Sequence, residues 1–181
     1  MKFFKFILVL LIAVSITGCS SNDSNEPLFV LSNTNIAGTY NINSFIVDTN
    51  VTSVTEVAGV EVPFTVASST SEGDTFQVAF VLNANGSYTA SGQYRVVSVV
   101  TPAVGNQFTN TEIIDFTDSG SYSLNTVNNT ITFTSVQGDF LNGELEVITF
   151  NETTITLSQE GEEVVDKVTT EIKANISFTR Q

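Results

Sequence analysis

Apolar and polar residues alternate with a period of two along most of the chain from Ile36 onward. The clearest run is VDKVTTEIKANISFTR, at residues 165–180, where Ile172, Ala174, Ile176 and Phe178 share one parity while lysines and threonines hold the other. Successive side chains of a β-strand point to opposite faces of the sheet, so this pattern predicts a long strand with one buried face.

Turn signals separate these runs. In TFQVAFVLNANGSYTASGQYRVVSVV, an Asn-Gly pair stands between two alternating segments, which is a strong hairpin signal. TEIIDFTDSGSYSLNTVNNTITFTS predicts three strands with turns at DSG and VNN, NE joins ELEVITF to TTITLSQ, and EGEE leads into the last strand. With no capped helical period in the rest of the chain, these signals predict roughly nine or ten strands in short hairpins.

A long meander must hide its edges by closing on itself or by pairing with a second sheet. An immunoglobulin-type sandwich would be expected to show a cysteine pair around a core tryptophan, and the chain has one cysteine and no tryptophan. The predicted fold is therefore all-β: an antiparallel up-and-down barrel of about 8–10 strands, with a β-sandwich as the alternative.

The N-terminus carries a different pattern. Lys2 and Lys5 precede FILVLLIAVSI, whose eleven residues fall short of the about 20 that a membrane-spanning helix needs, and are typical of a secretory signal peptide. The following ITGC resembles the lipobox of bacterial lipoproteins. That resemblance implies cleavage before Cys19 and attachment of acyl chains such as palmitate to it. The predicted parts are a signal peptide (1–18), a polar flexible tether (19–35) and the barrel (36–181).

This organisation predicts a lipid anchor in the cell envelope, at the outer membrane, and leaves open whether the domain faces the periplasm or the cell surface. After residue 18 the chain keeps four basic residues against all nineteen acidic ones. A surface of that charge repels nucleic acid, which is excluded as a partner. The mature chain has no pair of cysteines, so its core must hold without a disulfide.

The segment IAGTYNINSFIVD resembles the opening strand of lipocalin-like lipoproteins of Bacteroidota-type bacteria, in which a Gly-x-Trp or Gly-x-Tyr step begins the barrel. NGSYTASGQY and DSGSYSL are similar to inner hairpins of that family. The resemblance implies that Gly38 forms the first turn, that Tyr40 plugs one end of the barrel and that Arg180 is its cationic partner. Arg95 is the other candidate partner for Tyr40.

The chain has no histidine, so histidine-dependent nucleophiles and imidazole metal sites cannot be assembled. The remaining chemistry is that of carboxylates, and the available groups are Asp115, Asp118, Asp139, Glu160, Glu162 and Glu163. All lie at or near predicted turns, where acidic residues are common, and none follows a calcium-loop spacing. No catalytic residue, metal or cofactor is predicted.

Two functions of different classes follow. In the first, the barrel binds a small apolar or amphipathic ligand, and its lining is predicted to be Phe76, Phe80, Tyr88, Tyr94, Tyr122 and Phe133, unless these residues only pack the core. In the second, the domain has no ligand and engages another envelope protein through two predicted loops, TPAVGNQFTN and SSTSEGD.

Overall fold

The computed structural model describes residues 29–138 and 140–181. In these residues one helical turn, α1 (Asn33–Ile36), precedes eight strands. The strands are β1 (Gly38–Val57), β2 (Val60–Leu82), β3 (Ser87–Pro102), β4 (Phe108–Asn125), β5 (Thr130–Gln137), β6 (Gly143–Phe150), β7 (Thr154–Val165) and β8 (Val168–Arg180). The predicted signal peptide and Cys19 lie outside the described residues.

The strands form a closed antiparallel barrel in which each strand pairs with its neighbours in sequence. The ring closes where β8 pairs with β1, with Tyr40 opposite Arg180 and Thr52 opposite Thr169. The predicted up-and-down barrel is thus confirmed, and the sandwich alternative is not. Among the described residues, no helix is long and apolar enough to cross a membrane.

The strands differ greatly in length. β5 and β6 have eight residues each, whereas β1, β2, β3 and β4 have between 16 and 23. Three hairpins, β1–β2, β3–β4 and β7–β8, therefore extend past the short strands at one end of the barrel. We call this the hairpin end. The opposite end, with the turns at 83–86, 126–129 and 151–153, is called the closed end.

The core occupies the closed-end half of the barrel. Its side chains come from the inward parity of every strand, as the alternation in the sequence predicted for β8, where Ile176 and Phe178 are buried. The largest fully buried members are Tyr40, Phe80, Tyr88, Ile131, Phe133, Ile155, Leu157 and Phe178.

The turn at NANG is confirmed. β2 ends at Leu82 and β3 begins at Ser87, and Gly86 has a φ of 82°, in the left-handed region that glycine adopts most readily. The Asn85 side chain accepts a hydrogen bond from the Ser87 amide at 3.0 Å, which fixes the turn locally.

Three other predicted irregular segments are wrong: DSG lies inside β4, SSTSEGD lies inside β2, and EGEE lies inside β7. Gly120 of DSG opposes Tyr88 and Ser135, and a Cβ there would overlap the Thr134 carbonyl oxygen. The glycine thus permits a close approach of two strands instead of a turn, and the strand count falls to eight.

Residues before β1 pack against the closed end. The Phe29 ring lies 4.9 Å from the Phe150 ring, Leu31 is buried, and the Ser32 side chain caps α1 by accepting from the Asn35 amide at 3.2 Å. Ile36 is fully buried beneath the barrel. Apart from Ile36, where the predicted barrel begins, these residues belong to the second half of the predicted tether, and they fix the closed end as the place where the chain enters the barrel.

Candidate functional site

Arg180 and Tyr40 meet at the closed end. Arg180 Nη2 donates to the Tyr40 hydroxyl at 2.8 Å and to the Asn35 carbonyl, and the guanidinium carbon lies 5.4 Å from the centre of the Tyr40 ring. The Tyr40 hydroxyl donates in turn to the Ile36 carbonyl at 2.6 Å. Burial raises the pKa of Tyr40, and the arginine opposes that rise. The network ties α1, β1 and β8 together.

Gly38 begins β1 and lies directly under Arg180, with 3.4 Å between its ideal Cβ position and Arg180 Nε. The other candidate partner, Arg95, lies elsewhere. Its Nε donates to Asp74 Oδ1 at 2.7 Å, and this ion pair lowers the pKa of Asp74 to about 2. Both side chains are about half exposed, so the pair stabilises the fold little.

Four of the six predicted ligand-lining residues fill the closed-end core. Phe80 stacks on Phe178 with 4.7 Å between ring centroids, and Tyr88 meets Phe133 edge-on at 5.1 Å. The Tyr122 hydroxyl donates to the Asn83 carbonyl at 2.6 Å. These aromatic side chains pack on one another.

The other two, Phe76 and Tyr94, lie nearer the hairpin end, where they join three further phenylalanines. We call this set the aromatic cup: Phe45, Phe76, Tyr94, Phe116 and Phe140. Neighbouring centroids lie between 4.4 Å (Phe116 to Phe140) and 6.0 Å (Phe45 to Phe140). Phe76 stacks on Tyr94 at 5.7 Å. The cup is therefore a continuous aromatic layer above the core.

A cavity of about 510 Å³ opens against the cup. It is lined by Phe45, Tyr94, Ile114, Asp115, Phe116, Thr117, Gly138 and Phe140. The Tyr94 residue is only 6% exposed, and burial raises the pKa of its hydroxyl. Five of the eight lining residues thus carry apolar or aromatic side chains, and Asp115, Thr117 and the Tyr94 hydroxyl supply polar groups.

Phe45 and Phe140 were not predicted for this site, for identifiable reasons. The β1–β8 register shifts between Ile42 and Ser44, so Phe45 points inward although strict alternation from Tyr40 would direct it outward. Phe140 lies in the β5–β6 loop, which carries no periodic signal. Its one sequence signal is that an aromatic residue stands two positions after Gly138 in a short loop.

The Asp118 carboxylate, buried inside β4, anchors that loop. Its Oδ2 accepts from the Leu141 amide at 2.9 Å, and its Oδ1 accepts from the Ser135 and Tyr88 hydroxyls, each at 2.9 Å. Burial first, and then Asp118, raise the pKa of Tyr88 to about 12. Asp118 therefore holds the loop that places the Phe140 ring in the cup.

The remaining candidate carboxylates do not converge. Asp115, Glu162 and Glu163 are exposed, and Glu160 is paired with Lys173 at 2.6 Å. Asp139 lies outside the described residues. Among the residues that the structure does describe, no three acidic, histidine or cysteine side chains are placed to hold a metal ion.

A larger cavity, of about 690 Å³, is lined by residues of β1, β2, β7 and β8. Its side chains are mostly polar, and several bind one another: the Thr70 hydroxyl donates to Asp48 at 2.7 Å, and Asn50 donates to Glu171 at 3.1 Å. Among its lining residues Ile172 is the only aliphatic or aromatic one, and several of the polar groups already bind one another, so the aromatic cup is the better candidate site.

Comparison with known proteins adds no relative. No protein-family model, curated protein or solved structure matches the chain.

Proposed function

We propose that the chain is a lipid-anchored envelope lipoprotein whose barrel binds a small apolar or amphipathic molecule in the aromatic cup. The observation that supports this is the cavity of about 510 Å³ against Phe45, Tyr94, Phe116 and Phe140. Binding sites for small molecules are concave and combine apolar and aromatic side chains with a few polar groups, and this cavity combines its aromatic residues with Asp115 and Thr117.

The packed core below the cup limits the ligand. Phe80 and Phe178 stack beneath it, so a bound molecule would lie at the mouth of the barrel and would not thread through its length. A cavity of this size is near the lower part of the range for ligand pockets, about 300–1,000 Å³. The expected ligand is therefore a compact molecule with one or two rings, whose polar group faces Asp115 and Thr117.

The anchor would be Cys19, ten residues before Phe29. An extended tether of that length reaches at most about 36 Å. Phe29 packs at the closed end, against Phe150. A membrane-anchored barrel would therefore present the cup and the hairpin end away from the lipid.

The test fills the cavity. Ile114 lines it, whereas the adjacent Ile113 is 65% exposed on the opposite face of β4. We expect Ile114→Trp to weaken binding of the apolar fluorophore N-phenylnaphthylamine by at least tenfold, and Ile113→Trp to leave it within twofold. Both are measured by fluorescence titration on residues 20–181.

Native mass spectrometry of the unmodified domain shows in parallel whether a small molecule co-purifies. Equal fluorophore binding by the two tryptophan variants would refute the cup as the site. Circular dichroism confirms that each variant is folded before the titration is interpreted.

A second function, engagement of another envelope protein, is favoured by one observation. The β3–β4 turn exposes apolar side chains, with Val104 90% and Phe108 56% exposed. TPAVGNQFTN includes this turn, so one of the two predicted interaction loops remains a candidate. SSTSEGD, being part of β2, does not.

A further inference from the structure

β4 has a free edge at the hairpin end. It pairs with β3 along its length, from Phe108 opposite Val100 to Ser121 opposite Ser87, but its pairing with β5 begins only at Ser119. Within the described residues, the stretch 108–116 therefore has a strand on one side only. Gly138 covers the next position, because it lies against the Thr117 carbonyl.

β7 has a comparable edge, because it pairs with β6 only over residues 155–158. That edge is protected. Three of its next residues are Glu160, Glu162 and Glu163, and natural sheets use such charges to prevent unwanted strand pairing. The Gln159 side chain also donates to the carbonyls of Asn142, just before β6, and of Glu144, within β6.

The β4 edge is less protected. Its free stretch, residues 108–116, carries two charged side chains, Glu112 and Asp115, and residues 96–111 of the β3–β4 hairpin carry none. Ile113 is 65% and Phe108 56% exposed beside the edge. A long, partly apolar edge with few charges is a template for pairing with another strand.

The charges at this end identify the kind of strand that fits. Glu112 and Asp115 lie on the free edge, on opposite faces of β4. The bases nearest the hairpin end are already engaged: Arg95 with Asp74, Lys167 with Glu61, and Lys173 with Glu160. A second copy would bring further carboxylates and a formal charge of −13, whereas a lysine-bearing strand would complement the edge.

We propose that residues 108–116 of β4 accept an extended, lysine- or arginine-bearing segment of another protein as an added strand. The segment would form main-chain hydrogen bonds with β4, place apolar side chains beside Phe108 and Ile113, and place its bases near Glu112 and Asp115. This rests on the second function proposed above and deepens it. Ile114, Asp115 and Phe116 belong both to this stretch and to the wall of the cavity, so the two sites are neighbours and are tested separately.

The probe is a capped, fluorescein-labelled ten-residue peptide in which valine and threonine alternate and lysines stand at two positions. We expect it to bind residues 20–181 saturably in an anisotropy titration, more weakly at higher salt, and to slow amide hydrogen exchange in residues 108–116. A peptide with glutamates for the lysines, or with alternate amides methylated, should bind at least tenfold more weakly.

The matched variants are Ile113→Lys and Val127→Lys. Both replace an exposed apolar residue by lysine, the first on the free β4 edge and the second in the β4–β5 turn at the closed end. Peptide affinity should fall at least tenfold with the first and change less than twofold with the second. If Ile113→Lys fails to fold, Phe108→Lys replaces it.

Phe45→Trp, which enlarges a cavity-lining side chain on β1 outside residues 108–116, should weaken fluorophore binding and retain peptide binding, so the failure of one proposal is separable from the failure of the other. The β4 proposal is overturned if the peptide does not bind, if it binds Ile113→Lys unchanged, or if exchange slows elsewhere but not in β4. A stable dimer in sedimentation that Ile113→Lys dissociates would overturn it in favour of a second copy.

Discussion

Tyr88 donates a buried hydrogen bond to Asp118, and the protonation of the Tyr88 hydroxyl matters for the fold. An unfolded tyrosine ionises with a pKa of about 10, whereas burial and Asp118 raise the pKa of Tyr88 in the barrel to about 12. The folded state therefore holds this proton more tightly. Its contribution to the free energy of unfolding is complete below pH 10 and is lost as the pH rises through 12.

Removing this hydroxyl should flatten the alkaline decline in stability. We expect the free energy of unfolding, measured by urea titration from pH 9 to 12, to fall less steeply in Tyr88→Phe than in the parent. Some decline should remain, because burial also raises the pKa of Tyr122 to about 12. Parallel pH profiles for the two proteins would show that Tyr88 carries no such linkage.

The contact of a single residue was predictable where its amino-acid type and its place at a strand end determine its partner. Tyr40 and Arg180 lie together, as the Gly-x-Tyr resemblance implied, since both stand at strand ends that the ring closure brings opposite each other. The choice between Arg180 and Arg95 could not be made from the sequence. It depends on Asp74, which lies opposite Arg95 across the β2–β3 ladder.

At the scale of elements, the alternation located the strands and the Asn-Gly pair located one turn. Glycine without a neighbouring asparagine predicted turns that the structure does not have. DSG and EGEE both suggested turns, and both lie within strands. Whether a glycine bends the chain or admits a neighbouring backbone depends on a distant strand, here the Thr134 carbonyl on β5. Phe76 and Tyr94 of the cup were predicted, but Phe45 escaped prediction for the same reason, since the register shift that turns it inward arises from pairing with β8.

Two glycines test this distinction. A Cβ at position 120 would overlap the Thr134 backbone, whereas nothing lies within 4 Å of a Cβ at position 161. We expect Gly120→Ala to lower the free energy of unfolding by about 3 kcal/mol, at the upper end of typical overpacking costs. Gly161→Ala should leave it unchanged or raise it by about 0.4–1 kcal/mol, because alanine restricts the unfolded chain. Similar urea midpoints for both variants would contradict the assignment of Gly120 to a close strand contact.

The two ends of the whole molecule differ. The chain enters at the closed end, and the cup and the free β4 edge lie toward the hairpin end. β4 separates the two ends with 18 residues, which span about 59 Å along the strand at 3.3 Å per residue. Strand tilt in a barrel, about 35–45°, shortens this distance along the axis to roughly 45 Å. If Cys19 is the anchor, as proposed, a tether that reaches at most about 36 Å from the closed end is too short for an upright barrel to stand with its hairpin end on the membrane.

Two valines in opposite turns measure that orientation. Val104 and Val127 are 90% and 91% exposed, in the β3–β4 and β4–β5 turns respectively. Cys19 is the sole cysteine of the chain and is expected to be acylated, so Val104→Cys or Val127→Cys would supply the only reactive thiol in the mature lipoprotein. In vesicles containing a headgroup-labelled energy acceptor, a donor dye at position 127 should be strongly quenched and one at position 104 weakly quenched. Equal quenching would mean that the barrel lies on its side, with the β4 edge and the cup facing the lipid surface instead of a soluble ligand or protein.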